Sequence, residues 1–564
     1  MEALIVAVAG LLVVAAAAAL APRLRIAAPL ILVVTGIAIS LLPFVPAVHI
    51  SPELILAGIL PPLLYSASVS MPAMSFRREF NAIGGLSVVL VVVSSVVLGL
   101  FFAWVIPGLG IWWGIALGAI VSPTDAVATS IVKRAGISGR VVAVLEGESL
   151  LNDATALVLL RTAIAGTAAT ISFWGVLGDF AYAVAVAGVL GFVIGHLNLW
   201  VRSKVSDATV NTVISFTVPF LASIPAELLG ASGLVAAVVA GLVTGHGAAR
   251  RLPPAHRLSD TQNWHTVELV LEGAIFLLMG LELFAIVTDV QYKYDGLGPA
   301  TVVALGALLL TLVVRAAYIA PLLAGLQRRA RRGAKVKPRL DVMQQRLDSP
   351  QPPPGRDEPT DPRRPAPTPE RIERAKTRTR RVLADIDYFL AAPLGWREGG
   401  VLVWAGMRGA VTVAAAQTFP NNAPDRSFLI LVAFMVAAFS LLTQGGTLAL
   451  FVAWIKPAGP DLQAEIEERG RLLAMLTTIE RDITAAGPPI VETPTDTAAD
   501  AALPAPQSFA ALKKRTIAII EAQRTALLDA RDDGTFSAEL LNSALANLDA
   551  DQISIELKGA PVER

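Results

Sequence analysis

Apolar residues in this chain come in runs of about 20, the length a helix needs to cross a bilayer, and polar residues collect between the runs. Thirteen such stretches can be marked, at about 3–20, 27–45, 51–69, 81–106, 109–132, 141–164, 172–199, 209–226, 231–247, 266–289, 297–325, 398–419 and 427–455. Basic residues fall in alternate connections. They are Arg23 and Arg25; Arg77 and Arg78; Lys133, Arg134 and Arg140; Arg202 and Lys204; Arg250, Arg251 and Arg257; and an Arg-rich segment at 327–397. The intervening connections carry little beyond Lys293 and Arg426. Basic loops stay on the cytoplasmic side, so the alternation predicts an N-terminus outside and a C-terminal tail inside. An error of one span would scramble it. Trp104, Trp112 and Trp113 gather where spans 4 and 5 meet the outer face, as an aromatic belt does.

The expected fold class is an all-α polytopic membrane protein with about 13 transmembrane helices in the plasma membrane. Spans 1–6 and 8–13, joined by span 7, would start from opposite sides of the membrane, the inverted six-helix repeats of secondary transporters. Span 5 then corresponds to span 12. Span 5 holds SPTDA (122–126) and span 12 holds GMRGAV (406–411). Each is a polar or glycine-interrupted patch in mid-span, with Pro123 and Gly409 as the expected helix breaks. The domain division this predicts is a transmembrane domain over 1–456, with 327–397 as a cytoplasmic basic, Pro-rich loop, followed by a cytoplasmic helical tail over 457–564.

Of the 564 residues 54% are hydrophobic and 16% charged, against about a quarter charged in a soluble chain. Much of the charge lies in 327–397 and after Lys456. Cysteine is absent, which excludes disulfides and thiolate metal sites. The five histidines (His49, His196, His246, His256 and His265) lack the i, i+3 or i, i+4 spacing of a metal site, so no cofactor is expected. A net charge of +1 gives no sign of a nucleic-acid partner. The start, MEALIVAVAG, has an acid and no basic n-region, so a cleaved signal peptide is not expected.

Against this apolar background the buried polar residues stand out. An ionised carboxylate at membrane depth costs roughly 3 kcal/mol or more. Asp125 and Thr124 nevertheless follow Pro123 inside span 5, and span 6 contains EGESLLNDATALVLLR (146–161). Helical spacing puts Ser149, Asn152 and Asp153 on one face. Asp153 lies about 20 Å along its helix from Arg140, and Asp125 about 12 Å from Lys133. Both acids can therefore meet near the middle of the membrane. Pro123 removes a backbone donor and frees carbonyls to coordinate a cation. Carboxylate, hydroxyl and carbonyl oxygens form a hard-donor set, suited to Na+ rather than a soft metal.

A plainer reading makes these groups a buried network that only holds helices together, with Arg408 and Arg315 as available partners. For Glu148 the plainer reading is preferred: a pair with Arg408 would fix span 6 against span 12. For Asp125 and Asp153 function is preferred, because intramembrane acids mark ion or proton pathways. Glu146, near Arg140, reads as an interfacial charge, and Arg161 can snorkel to the outer face.

SPTDAVA, EGESLLNDATAL, FLLMGLEL (276–283) and WAGMRGAVTVAAA (404–416) together resemble the monovalent cation–proton antiporters of the bacterial NhaP and animal sodium/proton exchanger family. The resemblance covers about residues 1–456. It implies a thirteen-helix fold with a dimerisation domain and a six-helix core in which broken helices cross near the ion site. It also implies homodimers and elevator-like alternating access. By the same resemblance Asp153 is the carboxylate that binds cation and proton, and Ser149 and the Thr124 carbonyl are ligands. Asn152 with Asp125 braces the helix crossing, and Glu148 paired with Arg408 is structural. An Asn-Asp pair, here Asn152–Asp153, accompanies electroneutral one-for-one exchange in that family, whereas related electrogenic exchangers carry Asp-Asp. One titrating carboxylate holds either a cation or a proton, and the competition enforces exchange. One departure lies in span 3, PPLLYSASVSMP (61–72): several family members carry an acid where Ser66 stands. That leaves Na+, K+ and Li+ undiscriminated.

The segment 327–397 opens with QRRARRGAKVKPR and continues through SPQPPPGRDEPTDPRRPAPTPE. Its Pro and charge content cannot build a core, so disorder is expected at its centre. The flanking basic runs would meet anionic lipid headgroups. In the tail, LLDARDDGTFSAELLNSALANLD (527–549) looks like an EF-hand and fails as one. The third loop position is Arg531 and the twelfth is Leu540, where a bidentate Glu is required. A helix–turn–helix with Gly534 in the turn and Ser537 as N-cap fits better. A potassium/proton exchanger and, from another class, a cation channel are the alternatives to sodium/proton exchange. No repeated carbonyl-lined filter of a channel is found, and no phosphate-binding loop of an ATP-driven pump. An intramembrane aspartyl protease would need two aspartates sharing a proton. Asn152 and Ser149 beside Asp153 suit ion coordination better. The chain is not read as an enzyme.

Overall fold

The computed structural model describes residues 2–24, 26–42, 53–168, 173–293, 297–348, 369–459, 461–486 and 506–558. The centre of the Pro-rich loop (349–368) and most of the tail's linker (487–505) lie outside the described residues. Every regular element described is helical. The chain runs through α1 (Glu2–Leu24), α2 (Ala28–Ser40) and α3 (Leu60–Ser70), the last entered through a π-turn at Leu54–Ile59. Next, α4 (Ala73–Gly84) passes through a second π-turn into α5 (Val91–Val105). After α6 (Ile111–Val121) and α7 (Val127–Arg134) come α8 (Gly139–Ala168), α9 (Phe173–Arg202), α10 (Ala208–Leu228) and α11 (Gly233–Arg251). Two long helices follow, α12 (Pro254–Lys293) and α13 (Gly298–Asp348), then α14 (Pro369–Ala391), α15 (Trp396–Trp404) and α16 (Ala410–Gln417). The chain ends with α17 (Arg426–Ser440), α18 (Gly446–Ile455), α19 (Leu462–Ala486), α20 (Pro506–Asp533) and α21 (Ala538–Leu557).

Eight helical segments among the described residues are long and apolar enough to cross a membrane. A further three apolar helical stretches, Ala28–Ser40, Leu54–Ser70 and Ile111–Val121, are shorter. The two spans that the sequence predicts to be interrupted are interrupted: residues 122–126 part α6 from α7, and residues 405–409 part α15 from α16.

Two compact units emerge. The first comprises Met1–Arg251, Ser259–Arg328 and Ala392–Gly459. Its exterior exposes Leu12, Val189, Leu309 and Leu450, the reverse of a soluble surface and what lipid contact requires. Apolar burial gives no advantage over lipid tails, so helices here associate through close backbone approach at small residues. Gly114 and Gly118 of α6 lie against Gly99 and Ser95 of α5. Gly241 and Gly245 of α11 lie against Tyr65 and Val69 of α3, and Gly36 of α2 against Leu277 and Gly280 of α12. An added methyl at any of these would strike backbone or Cβ atoms of the facing helix. Among the described residues, apolar side chains fill most of the remaining interior as two large clusters, beside a small one of Met71, Ile83 and Leu150. One large cluster includes Val127, Val141, Met407 and Phe434; the other includes Ile120, Leu160, Ala415 and Phe419. Leu157 of α8 packs against both, so α8 runs past the seam where the broken helices lie.

The second unit comprises Leu252–Leu258, Arg329–Ala391 and Pro460–Arg564. Residues 327–348 and 369–391, read from the sequence as parts of a loop, are helical. Beyond Arg328, α13 continues beside α14, tied by Lys337–Asp387 and Arg380–Asp348 ion pairs and by Arg329 over the Phe389 ring. In the tail Gly534 takes φ +74°, the left-handed conformation that glycine adopts without penalty. It turns α20 into α21 there. Ser537 occupies the N-cap of α21, although its hydroxyl makes no capping bond. Its N–H donates to Glu468 of α19 at 2.5 Å instead. Asp549 accepts from both Arg257 and Arg524, joining the first turn of α12 to α20 and α21 within this unit.

Candidate functional site

The two extended breaks touch, with the Asp125 N–H donating to Met407 O at 2.8 Å. Four half-helix ends meet there in a region without water to satisfy them. Positive charge meets the C-terminal carbonyls. Arg408 Nε donates to Val121 O at 2.9 Å and Nη2 to Ser122 O at 3.3 Å, and Nη1 bonds Gly406 O beyond α15. Negative charge meets the N-termini. Asp125 Oδ1 accepts from Val127 N–H at 2.8 Å at the start of α7, and Gly409, just before α16, lies against the same carboxylate. Each charge has the sign that the helix dipole favours.

Glu148 does not pair with Arg408, and the expectation from the sequence is corrected here. Its carboxylate is held by both Nη atoms of Arg315, with Nη2–Oε2 at 2.8 Å. Arg315 Nε donates to Leu402 O at 2.8 Å. The reason is supply: Arg408 already serves three carbonyls at the helix breaks, while Arg315 faces α8 directly from unbroken α13. Gly406 makes room, since a side chain there would meet the Arg315 guanidinium.

Thr124 and Asn152 interlock. Asn152 Nδ2 donates to Thr124 O at 3.0 Å and to Thr124 Oγ1 at 2.8 Å, and that hydroxyl donates to Glu148 Oε1 at 3.0 Å. The Thr124 carbonyl thus accepts one bond and keeps a second lone pair. One turn of α8 from Asp153, the Ser149 hydroxyl donates its proton to Glu146 O at 3.1 Å, which leaves its own lone pairs available. Asp153 differs from all of these. It is 7% exposed, and no described residue hydrogen-bonds or ion-pairs with it. It faces a tight, largely apolar crevice, with Pro123, Leu157, Leu160, Val411 and Ala415 as walls. A buried carboxylate without a partner is expensive unless something else neutralises it.

The structure adds residues that the sequence reading passed over. Ser66 donates to Glu268 Oε2 at 3.5 Å across α3 and α12, so a carboxylate does stand beside Ser66, supplied by another helix. One turn further along α12, Glu272 lies within electrostatic reach of Asp125 and Glu268. The available signal was three glutamates, Glu268, Glu272 and Glu282, in the apolar window 266–289. Among the described residues no group of three His, Cys, Asp or Glu could hold a metal ion.

Gly409 gives a direct test of the crossing. A methyl group there would land on the Asp125 carboxylate, whose own N–H is fixed to Met407 O. Gly409→Ala is expected to destabilise the protein by about 1–3 kcal/mol, the usual cost of overpacking. Gly84→Ala, in a helix with open space at the added carbon, should be neutral or slightly stabilising. Thermal unfolding in detergent compares the two.

The family described as "Sodium/hydrogen exchanger, transmembrane" matches residues 9–339. An uncharacterized Na(+)/H(+) exchanger of Escherichia coli, YjcE, is 37% identical over 269 residues, 46% of this chain and 49% of that one. The sodium, potassium, lithium and rubidium/H(+) antiporter of Bacillus pumilus is 31% identical over 267 residues, 45% of this chain and 39% of that one. These matches span half or less of the relatives' length. The solved structure of the sodium proton antiporter MjNhaP1 from Methanocaldococcus jannaschii superposes with a TM-score of 0.56 at 16% identity, covering 81% of this chain and 99% of that one. That likeness is one of fold.

Proposed function

Because the chain belongs to the sodium/hydrogen exchanger family, we propose that this multi-pass plasma-membrane protein exchanges one monovalent cation for one proton. Na+ is the first candidate; a relative named for sodium, potassium, lithium and rubidium supports keeping Li+ and K+ beside it. The buried Asp153 carboxylate, without a partner among the described residues, carries the reading. A proton or a cation neutralises it, and the two cannot do so together. The Thr124 carbonyl and Ser149 hydroxyl supply further oxygens to a cation, and Asn152, being neutral, keeps the site at a single titrating charge. Asp125 and Arg408 serve as fixed counter-charges for the half-helix ends, so the crossing survives whichever ion is bound.

The finer architecture belongs to the same proposal. Thirteen spans, two inverted six-helix repeats and a cytoplasmic C-terminus agree with the alternation of basic loops and with the paired breaks in spans 5 and 12. Alternating access of an elevator kind, a homodimer and anionic lipid at the basic segments complete it. The test uses purified protein in acid-interior liposomes with an internal pH dye, to which Na+, K+ or Li+ is added outside. A parallel Na+ and Li+ series is clamped with K+ and valinomycin. Cation-dependent alkalinisation at a rate indifferent to voltage is expected. A rate that follows voltage would reject one-for-one exchange, and no proton movement with any of the three would reject the function.

A further inference from the structure

Helix α16 is a short rod that forms one wall of the tight crevice at Asp153 through Val411 and Ala415, and it is fastened at both ends. Its inner end is pinned by the Gly409–Asp125 contact. At its far end the Gln417 side-chain amide donates to Glu282 of α12. Arg426 closes the same end from the following turn, with Nη2 to Gln417 O and Nε to Phe419 O, both at 2.8 Å. Asp425, just before it, takes a left-handed backbone (φ +47°) that side chains rarely adopt. The inner fastening belongs to the crossing itself. The outer one joins α16 to a different structure, because α12 is backed by α2 where Gly36 and Gly280 bring the backbones together, just before Glu282.

Glu282 is 6% exposed. A carboxylate placed so deep in an apolar helix is costly unless the bonds it makes are needed, and one of those bonds comes from the Gln417 amide of α16. We propose that Glu282 and Gln417 form a latch that holds the outer end of α16 against α12 and keeps the crevice at Asp153 closed on the outer side of the membrane. Opening that side, as alternating access demands, requires the bond to break. Glu282 is thus a positioning residue for the ion site. The assignment of sides rests on the exchange reading and topology proposed above.

The natural absence of cysteine makes the test direct. Ala415→Cys is introduced into the full chain as a single thiol, and sealed right-side-out and inverted vesicles are treated with a membrane-impermeant maleimide. The thiol should label slowly with the latch intact. Gln417→Ala should speed labelling from the outer face by about tenfold, the effect of losing one charge-assisted hydrogen bond, and Glu282→Ala by at least as much. The exchanged pair E282Q/Q417E, with donor and acceptor swapped, should restore slow labelling. A residue needed only for folding would not be rescued that way. Unchanged labelling in Gln417→Ala, faster labelling from the inner face, or no rescue by the swapped pair would each overturn the latch. The readout needs no transport, so absence of exchange in liposomes would reject the function and leave this result standing on its own.

Discussion

Asp153→Asn is expected to abolish cation-dependent proton movement while leaving thermal stability unchanged or raised. The substitution keeps shape and removes only the ability to carry a charge or a proton. Asp153 has no described partner, so nothing is orphaned when the charge goes, and the cost of holding a carboxylate in a largely apolar crevice disappears. Activity and stability should therefore move apart. Asp125→Asn makes the contrast. That carboxylate accepts from Val127 N–H and lies at the head of two half-helices, so its loss should cost about 0.5–2 kcal/mol as a weakened cap as well as reduce exchange. Liposome exchange beside thermal unfolding in detergent separates the two behaviours. Transport surviving in Asp153→Asn would end the assignment of the ion to this residue.

The sequence made the broken helices legible because their cause is local. Pro123 lacks a donor, and the glycines of GMRGAV sit where an apolar run of helical length would otherwise continue. It also made the shared face of Ser149, Asn152 and Asp153 legible, since helical spacing alone decides it. Which arginine meets Glu148 was not legible. Arg315 and Arg408 are equally available by composition, and the choice depends on Arg408 being taken up by carbonyls that only the crossing brings together. Glu268 was missed for a related reason. Its worth comes from facing Ser66 on another helix, and no spacing within α12 announces that. The helical course of 327–348 was misread because a basic run containing Pro338 looks like loop. In the structure α13 passes through Pro338 while ion pairs to α14 hold the helix.

The buried Glu148–Arg315 pair carries the largest expected effect on stability. Glu148 is 1% and Arg315 2% exposed. The pair ties α8 to α13, and through Thr124 Oγ1 and Leu402 O to both broken helices. Removing one partner leaves the other charge buried without compensation, at about 3–5 kcal/mol, so Glu148→Ala and Arg315→Ala should each unfold at markedly lower temperature in detergent. The double variant Glu148→Leu/Arg315→Met should recover most of that loss, because it deletes both desolvation penalties and keeps the volume filled. It should not recover exchange. Without Glu148 the Thr124 hydroxyl loses its acceptor, and Asn152 alone is left to hold the carbonyl proposed to face the cation. Misplacing a ligand by about 1 Å is enough to cost two orders of magnitude in rate. Single variants as stable as the parent would mean the pair does not hold the helices together. A double variant with full exchange would mean that Asn152 suffices to set Thr124, and that Glu148 and Arg315 contribute to packing alone.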